Sequence, residues 1–162
     1  MNSFFSKKRI IVFIIILVSG ALLHQLYVWL PGFFTALLSP VDESLWEHVK
    51  IIFYPLIVAG LIMTGEGSDP SNKKEQAAWQ LSALIASVFM FLMATLYHEI
   101  LMQNSFVFDI ALYIVSIIIG FLLPPLLEKV TGSRGMQILI NIAAWSMFVL
   151  ILYRTFVTLI NL

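Results

Sequence analysis

All three histidines of the chain, His24, His48 and His98, lie within or beside apolar segments. Because the chain has no cysteine, a bound metal ion would need imidazole and carboxylate ligands. Three nitrogen ligands and an open fourth position allow zinc to acidify a bound water, which is the chemistry of zinc hydrolases. The histidines therefore predict a metal site with these three ligands, joined by Asp109 or Glu99, and Zn²⁺ as the candidate cofactor.

The start of the second apolar segment carries polar residues at helical spacing. Residues four apart share a helix face, so Ser44 is expected beside His48, and Glu43 beside Glu47. Lys50 follows Glu47 by three residues, and these two side chains are expected to form an ion pair. Such a pair would leave Glu43, Ser44 and His48 to face a ligand.

A wider set of polar side chains near the same ends of the segments forms a candidate ligand pocket. A charged side chain within a span costs roughly 2.5 to 3.5 kcal/mol on insertion scales, so such groups usually face the helix bundle and pair. The residues expected to bind a ligand are Glu43, Ser44, Glu47, His48, Lys50, Glu99, Asp109 and Arg154. The excess of carboxylates favours a cationic ligand or a partner membrane protein, and Arg154 could hold the phosphate of a lipid head group. Two alternatives are that Lys50 and Arg154 extend to the membrane surface, and that the polar layer only holds the helices together.

The composition predicts the elements that position these residues. Of the 162 residues, 60% are hydrophobic and 11% are charged, and the mean hydropathy is +0.98, so the bilayer is the expected solvent. Long apolar segments can satisfy their own backbone in a bilayer only as helices. The predicted fold is an all-α, polytopic membrane protein with one domain, residues 1–162, and five spans at about 10–30, 48–64, 77–101, 107–127 and 136–160.

The basic residues predict the orientation of these spans. Seven of the nine lysines and arginines flank one set of span ends: Lys7, Lys8, Arg9, Lys73, Lys74, Lys129 and Arg134. The positive-inside rule then places the N-terminus in the cytoplasm and the C-terminus outside. The expected location is a bacterial plasma membrane, crossed several times. All three histidines then lie in the outer layer. The formal net charge of zero excludes a general attraction to nucleic acid.

Local signals predict details of the second and third spans. Ser39 is expected to cap the second helix, with Pro40 at its first position and Asp42 closing a capping box. Pro55 is expected to bend this helix. Trp79 is expected at the inner membrane interface, where amphipathic indole rings concentrate.

Two motifs resemble those of an uncharacterised family of small bacterial multi-pass membrane proteins. Residues 40–50, PVDESLWEHVK, are similar to a family pattern N-E-S-x-W-E-H-x-K, and residues 24–29, HQLYVW, resemble a segment H-x-x-Y-x-W. The chain departs from these patterns at Asp42, where Asn is expected, and at Val28, where Glu is expected. The resemblance implies a membrane architecture over most of the chain, and it implies no activity.

A more distant resemblance concerns the chemistry of the polar layer. Ser44 and His48, with an intramembrane Asp and further histidines, resemble the pattern of alkaline ceramidases and adiponectin-type receptors, which use three His, an Asp and a Ser around zinc. The seven helices and the late His-x-x-x-His pair of those proteins are absent from this sequence. The resemblance implies a zinc-dependent hydrolase of a lipid-type substrate as an alternative to ligand binding. A proton-coupled transporter that uses the His and carboxylate cluster is a further alternative, and the sequence leaves open whether the protein is an enzyme.

Overall fold

The computed structural model describes residues 6–65 and 69–161, and this part of the chain is helical, with no strand. In chain order the α-helices are α1 (Lys7–Trp29), α2 (Phe33–Leu38), α3 (Leu45–His48), α4 (Lys50–Thr64), α5 (Pro70–Thr95), α6 (Phe106–Leu122), α7 (Pro124–Leu127) and α8 (Arg134–Asn161). A π-helical turn, Leu96–Ile100, extends α5, and a 3₁₀ turn, Val130–Gly132, precedes α8. The prediction of an all-helical fold is confirmed. Residues 1–5, 66–68 and 162 of the predicted single domain lie outside the described residues.

Several helices are long and apolar enough to cross a membrane. Within the described residues there are four such stretches: Lys7–Trp29, Leu45–Thr64, Ser71–Ile100 and Arg134–Asn161. Helix α6 is apolar but has only 17 residues. It ends before the predicted boundary at residue 127 because Pro124 has no N–H to bond the carbonyl of Gly120. The hydroxyl of Ser82 donates a hydrogen bond to this carbonyl instead.

Helices α4 and α5 form the centre of the bundle. In their most apolar stretches, 56% of the residues of Leu45–Thr64 and 50% of those of Ser71–Ile100 are buried, against 17% in α1 and in α8. Helix α5 contributes a buried row of mainly small side chains at every fourth position: Ala78, Ser82, Ala86, Met90 and Ala94. Small side chains let helix backbones approach closely. In a bilayer, where association of helices gains no hydrophobic free energy, this close packing stabilises helix pairs.

Trp79 belongs to this core. Its exposed fraction is 1%, and its ring packs edge-on against Phe121 with 5.5 Å between ring centres. A Cβ added to Gly60 would lie 2.7 Å from the Cβ of Trp79, so only glycine leaves room for this side chain. Gly60 on α4 thus opens a place for the indole inside the bundle, and the depth of Trp79 in the membrane stays a prediction.

Helix α1 closely approaches α4 and α6 at Gly20. A Cβ at Gly20 would meet the hydroxyl oxygen of Tyr113 and would lie 2.7 Å from the carbonyl oxygen of Ile51. The Tyr113 hydroxyl itself donates a hydrogen bond to the carbonyl of Leu17 at 2.6 Å. Ile51 stands four residues before Pro55, which has no N–H to bond that carbonyl, although α4 continues through the proline. Three helices therefore touch at one glycine.

The second long helix begins later than predicted. Ser44 caps it, because its side-chain oxygen accepts a hydrogen bond from the backbone N–H of Glu47 at 3.4 Å. The Ser39 hydroxyl instead donates to the carbonyl of Leu23 at 2.5 Å and accepts from the N–H of Tyr27 at 3.0 Å. The capping prediction for Ser39 is wrong because its hydroxyl bonds the last turns of α1.

Polar contacts define two opposite ends of the bundle. At one end, which we call the basic end, the ammonium group of Lys8 donates to the carbonyl of Met63 at 3.3 Å, and Lys74 lies 3.4 Å from a carboxylate oxygen of Glu128. At the other end, which we call the His end, the last turns of α1 lie beside α3. The residues with candidate chemistry lie at the His end.

Candidate metal centre

His24, Glu43 and His48 meet at the His end. Helix α1 supplies His24, the segment before α3 supplies Glu43, and α3 supplies His48. The Nε2 atoms of the two histidines are 3.0 Å apart. A carboxylate oxygen of Glu43 lies 3.3 Å from Nε2 of His48 and 4.0 Å from Nε2 of His24. Among the described residues, this is the one group of His and acidic side chains whose ligand atoms all lie within 4.8 Å of one another.

The spacing of these three atoms suits a single metal ion. Bonds of about 2.0 to 2.1 Å in tetrahedral geometry put neighbouring ligand atoms roughly 3.3 Å apart. The three separations are 3.0, 3.3 and 4.0 Å, so the two Nε2 atoms would separate slightly and the carboxylate of Glu43 would move closer to His24. We call these three residues the HHE centre.

Neighbouring groups orient both imidazole rings of the HHE centre. The Nδ1 atom of His48 donates to the backbone carbonyl of Ser44 at 2.9 Å, so in the neutral ring Nε2 carries no proton and its lone pair can bind a metal. The side-chain amide of Gln25 donates to Nδ1 of His24 at 3.1 Å, so without metal the Nε2–H of His24 donates to His48. If His24 bound a metal through Nε2, its proton would sit on Nδ1, and a rotated Gln25 amide could accept a hydrogen bond from that N–H through its oxygen.

The HHE centre is open on one side. The side chains of His24 and His48 are partly buried, whereas the Glu43 side chain is 85% exposed. Glu43 can therefore turn towards an ion without displacing packed neighbours. Three protein ligands leave one tetrahedral position for water or another ligand, which is the arrangement of catalytic zinc sites.

Glu47 and Lys50 form a buried ion pair next to this centre. The Lys50 ammonium lies 2.5 Å from a Glu47 carboxylate oxygen, and the two side chains are 0% and 1% exposed. The ion pair predicted from their spacing is confirmed. The alternative in which Lys50 reaches the membrane surface is wrong, because its ammonium also donates to the carbonyls of Ala36 at 2.7 Å and Ser39 at 3.0 Å.

The carboxylate of Glu47 connects three segments. It accepts a hydrogen bond from the N–H of Val41 at 3.0 Å and from the hydroxyl of Thr155 at 3.3 Å, in addition to the bond from Lys50. The connection between α2 and α3, the start of the second long helix, and α8 are thereby joined at one buried group. A buried charge that is fully hydrogen-bonded holds its surroundings in one arrangement. The prediction that Glu47 and Lys50 also contact a ligand stays a prediction.

His98 lies against Asp109 and not in the HHE centre. Its Nε2 is 2.8 Å from a carboxylate oxygen of Asp109, and its Nδ1 is 3.1 Å from the carbonyl of Gln103. Both ring nitrogens thus face oxygen acceptors, an arrangement that a charged imidazolium satisfies. The structure therefore brings together two of the three predicted histidine ligands, and Glu43 takes the third place in the cluster.

Arg154 and Glu99 lie outside the HHE centre as well. The guanidinium carbon of Arg154 is 5.8 Å from the centre of the Trp46 ring, within the range of a cation–π contact. Within the described chain, Nε of Arg154 is buried without a hydrogen-bond partner. Glu99 is exposed in the π-helical turn. A ligand role for these two residues stays a prediction.

Comparison with known proteins places the chain in a family. Residues 1–160 match the family of unknown function DUF6512. The chain belongs to DUF6512. The prediction of an uncharacterised family is confirmed, and the match extends over nearly the whole chain. No curated protein and no solved structure matches it.

Sequence reasoning missed several residues that position the centre of this DUF6512 chain. They are Gln25, which touches the His24 ring; Ser39, which bridges α1 and Lys50; and Thr155, which bonds Glu47. The only sequence signal for Thr155 is that it is a polar residue within an apolar helix, and this signal does not predict which residue it contacts. Glu47 and Thr155 are 108 positions apart, so their contact depends on how α8 packs.

Proposed function

We propose that this DUF6512 protein binds one divalent transition metal ion, Zn²⁺ in the first instance, at the HHE centre. The observation that carries this proposal is the meeting of His24, Glu43 and His48 from three separate segments. Two imidazoles and one carboxylate are a known ligand set for zinc, and the same set also holds non-haem Fe(II). The unprotonated Nε2 of His48 and the exposed carboxylate of Glu43 support metal binding over an organic cation. Hydrolysis of a lipid-type substrate and proton-coupled transport stay predictions of the sequence.

We further propose that the protein crosses a bacterial plasma membrane five times, with the HHE centre on the outer side. The five crossings would be α1, α3 with α4, α5 with its π-helical turn, α6 with α7, and α8. The gathering of Lys8, Lys74 and other basic residues at the basic end supports a cytoplasmic location for that end.

Single cysteines can test this orientation, since the chain has none of its own. Asn104 is exposed at the His end and Ser71 is exposed at the basic end. In intact cells, a membrane-impermeant maleimide is expected to label Asn104→Cys and to leave Ser71→Cys unlabelled until the cells are opened. The reverse pattern, or labelling of both in intact cells, would refute the orientation.

Metal stoichiometry tests the proposed function directly. After chelator treatment in detergent, the wild-type protein is expected to bind about one Zn²⁺ per chain, measured by calorimetry and by elemental analysis after dialysis. The variant His24→Ala/Glu43→Gln/His48→Ala should bind none at the same concentration while keeping its helical circular dichroism spectrum. Parallel titrations with Co²⁺ and Fe²⁺ would rank the three metals by affinity. Absence of binding by the wild type, or equal binding by the triple variant, would refute the proposal.

A further inference from the structure

A polar cavity lies between α5 and α8 at the basic end, away from the HHE centre. Its volume is about 190 Å³, and its polar lining includes Lys73, Arg134, Gln76, Gln80 and Asn141. Among the residues that the structure describes, no acidic side chain lines it. The cavity therefore has a positive local charge, although the protein as a whole has a net charge of zero.

Several polar groups of this cavity have no ion-pair or hydrogen-bond partner within the described part of the protein. Neither the ammonium group of Lys73 nor the guanidinium group of Arg134 has an acidic partner there, whereas the neighbouring Lys74 is paired with Glu128 at 3.4 Å. The Gln80 amide donates to Asn141 at 2.9 Å, but its oxygen is buried without a hydrogen-bond partner. The cavity thus offers two cations and one free hydrogen-bond acceptor.

An open apolar groove continues from this cavity along α8. Ile138 and Asn141 line both the cavity and the groove. The groove is shallow and open, all the residues that line it belong to α8, and it extends past Trp145 to Tyr153. From Ile138 to Tyr153 the helix rises about 22 Å, which exceeds half of the roughly 30 Å hydrocarbon thickness of a bilayer. The groove is long enough for an acyl chain of one leaflet.

We propose that the cavity and the groove together bind one anionic glycerophospholipid whose head group carries hydroxyls, such as phosphatidylglycerol. The phosphate would lie between Lys73 and Arg134, and a head-group hydroxyl would donate to the free oxygen of Gln80. One acyl chain would cover the exposed side of α8 beside Trp145. A second copy of this chain is less suited to the site, because it would have to supply an anion to two unpaired cations.

Native mass spectrometry of the delipidated full-length protein in detergent tests this lipid site. The protein is titrated with phosphatidylglycerol and with phosphatidylcholine that have the same acyl chains. We expect phosphatidylglycerol to bind at least about tenfold more tightly. In Lys73→Gln/Arg134→Gln the preference should fall to about twofold or less, since only the apolar groove then contributes. A short-chain phosphatidylglycerol should bind the wild type more weakly than the long-chain lipid.

A matched control separates this site from a diffuse surface charge. Lys7→Gln/Lys129→Gln removes two exposed cations near the same end that do not line the cavity, and it should keep the full preference. Equal affinity of the wild type for the two lipids would overturn the proposal, as would an unchanged preference in Lys73→Gln/Arg134→Gln or an equal loss in the control. A lipid-free dimer as the main species would assign the groove to a second copy instead. Zinc binding at the HHE centre is not expected to change in any of these variants, so the two proposals can fail independently.

Discussion

Replacing His48 by alanine is expected to weaken Zn²⁺ binding by about 100-fold or more. Loss of an outer-shell partner of a metal ligand already costs roughly 10- to 100-fold in affinity, and loss of a ligand costs more. His48 has the most favourable position in the HHE centre, because its Nε2 is the atom closest to both His24 and Glu43. Its Nδ1 is fixed by the carbonyl of Ser44. Removal of this ring therefore leaves only two ligands, His24 and Glu43.

His98 provides the matched control for this variant. Its side chain is 22% exposed, the same fraction as that of His48, and it also lies beside a carboxylate. His98→Ala should bind zinc with an affinity within about twofold of the wild type, measured by calorimetric titration against a competing chelator. An equal loss of zinc affinity in both variants would show that zinc binds to histidines in general and not at the HHE centre. Unchanged affinity in His48→Ala would exclude the HHE centre as the site.

Replacing Lys50 by methionine is expected to lower the free energy of unfolding by about 3 to 5 kcal/mol. This is the usual cost of removing one partner of a buried ion pair, because the carboxylate of Glu47 then stays buried without an opposite charge. The ammonium group of Lys50 donates to Glu47, Ala36 and Ser39, so the variant also deprives two backbone carbonyls of a donor. Methionine keeps most of the volume of the side chain, so a cavity is not the cause of the loss.

Equilibrium unfolding in mixed detergent micelles measures this effect. Lys129→Met removes an exposed lysine and should change the free energy of unfolding by about 0.5 kcal/mol or less. Lys50→Met/Glu47→Gln should recover a large part of the loss, since no charge is then left buried. A loss below about 1 kcal/mol in Lys50→Met would mean that the pair is not buried as the structure has it.

The helical fold and the ion pair could be predicted because each depends on residues close together in the sequence. Hydropathy over about 20 residues predicts apolar helices, and a spacing of three predicts that Glu47 meets Lys50. The complete burial of this pair could not be predicted in the same way. It depends on the carbonyls of Ala36 and Ser39 and on Thr155 of α8, and no local pattern gives their positions.

The composition of the HHE centre was predicted only in part, and the reason is the start of one helix. With Ser39 as the cap, Glu43 would lie within the helix and on the same face as Glu47. The actual cap is Ser44, so Glu43 precedes the helix and turns towards His48. His98 follows a different course because the chain after the π-helical turn brings Asp109 against its ring. Sequence spacing cannot show which carboxylate a histidine meets across a loop.

The contact at Gly20 has a mechanical consequence for the ligands above it. Gly20 lies one turn before His24 on α1, and there the main chain of α1 contacts the Ile51 carbonyl and the Tyr113 hydroxyl with no side chain between them. Helices in a bilayer respond to a change in thickness by tilting. Because α1 meets α4 and α6 at this point, a tilt of α1 would pivot there, and His24, only one turn away, would move little relative to His48.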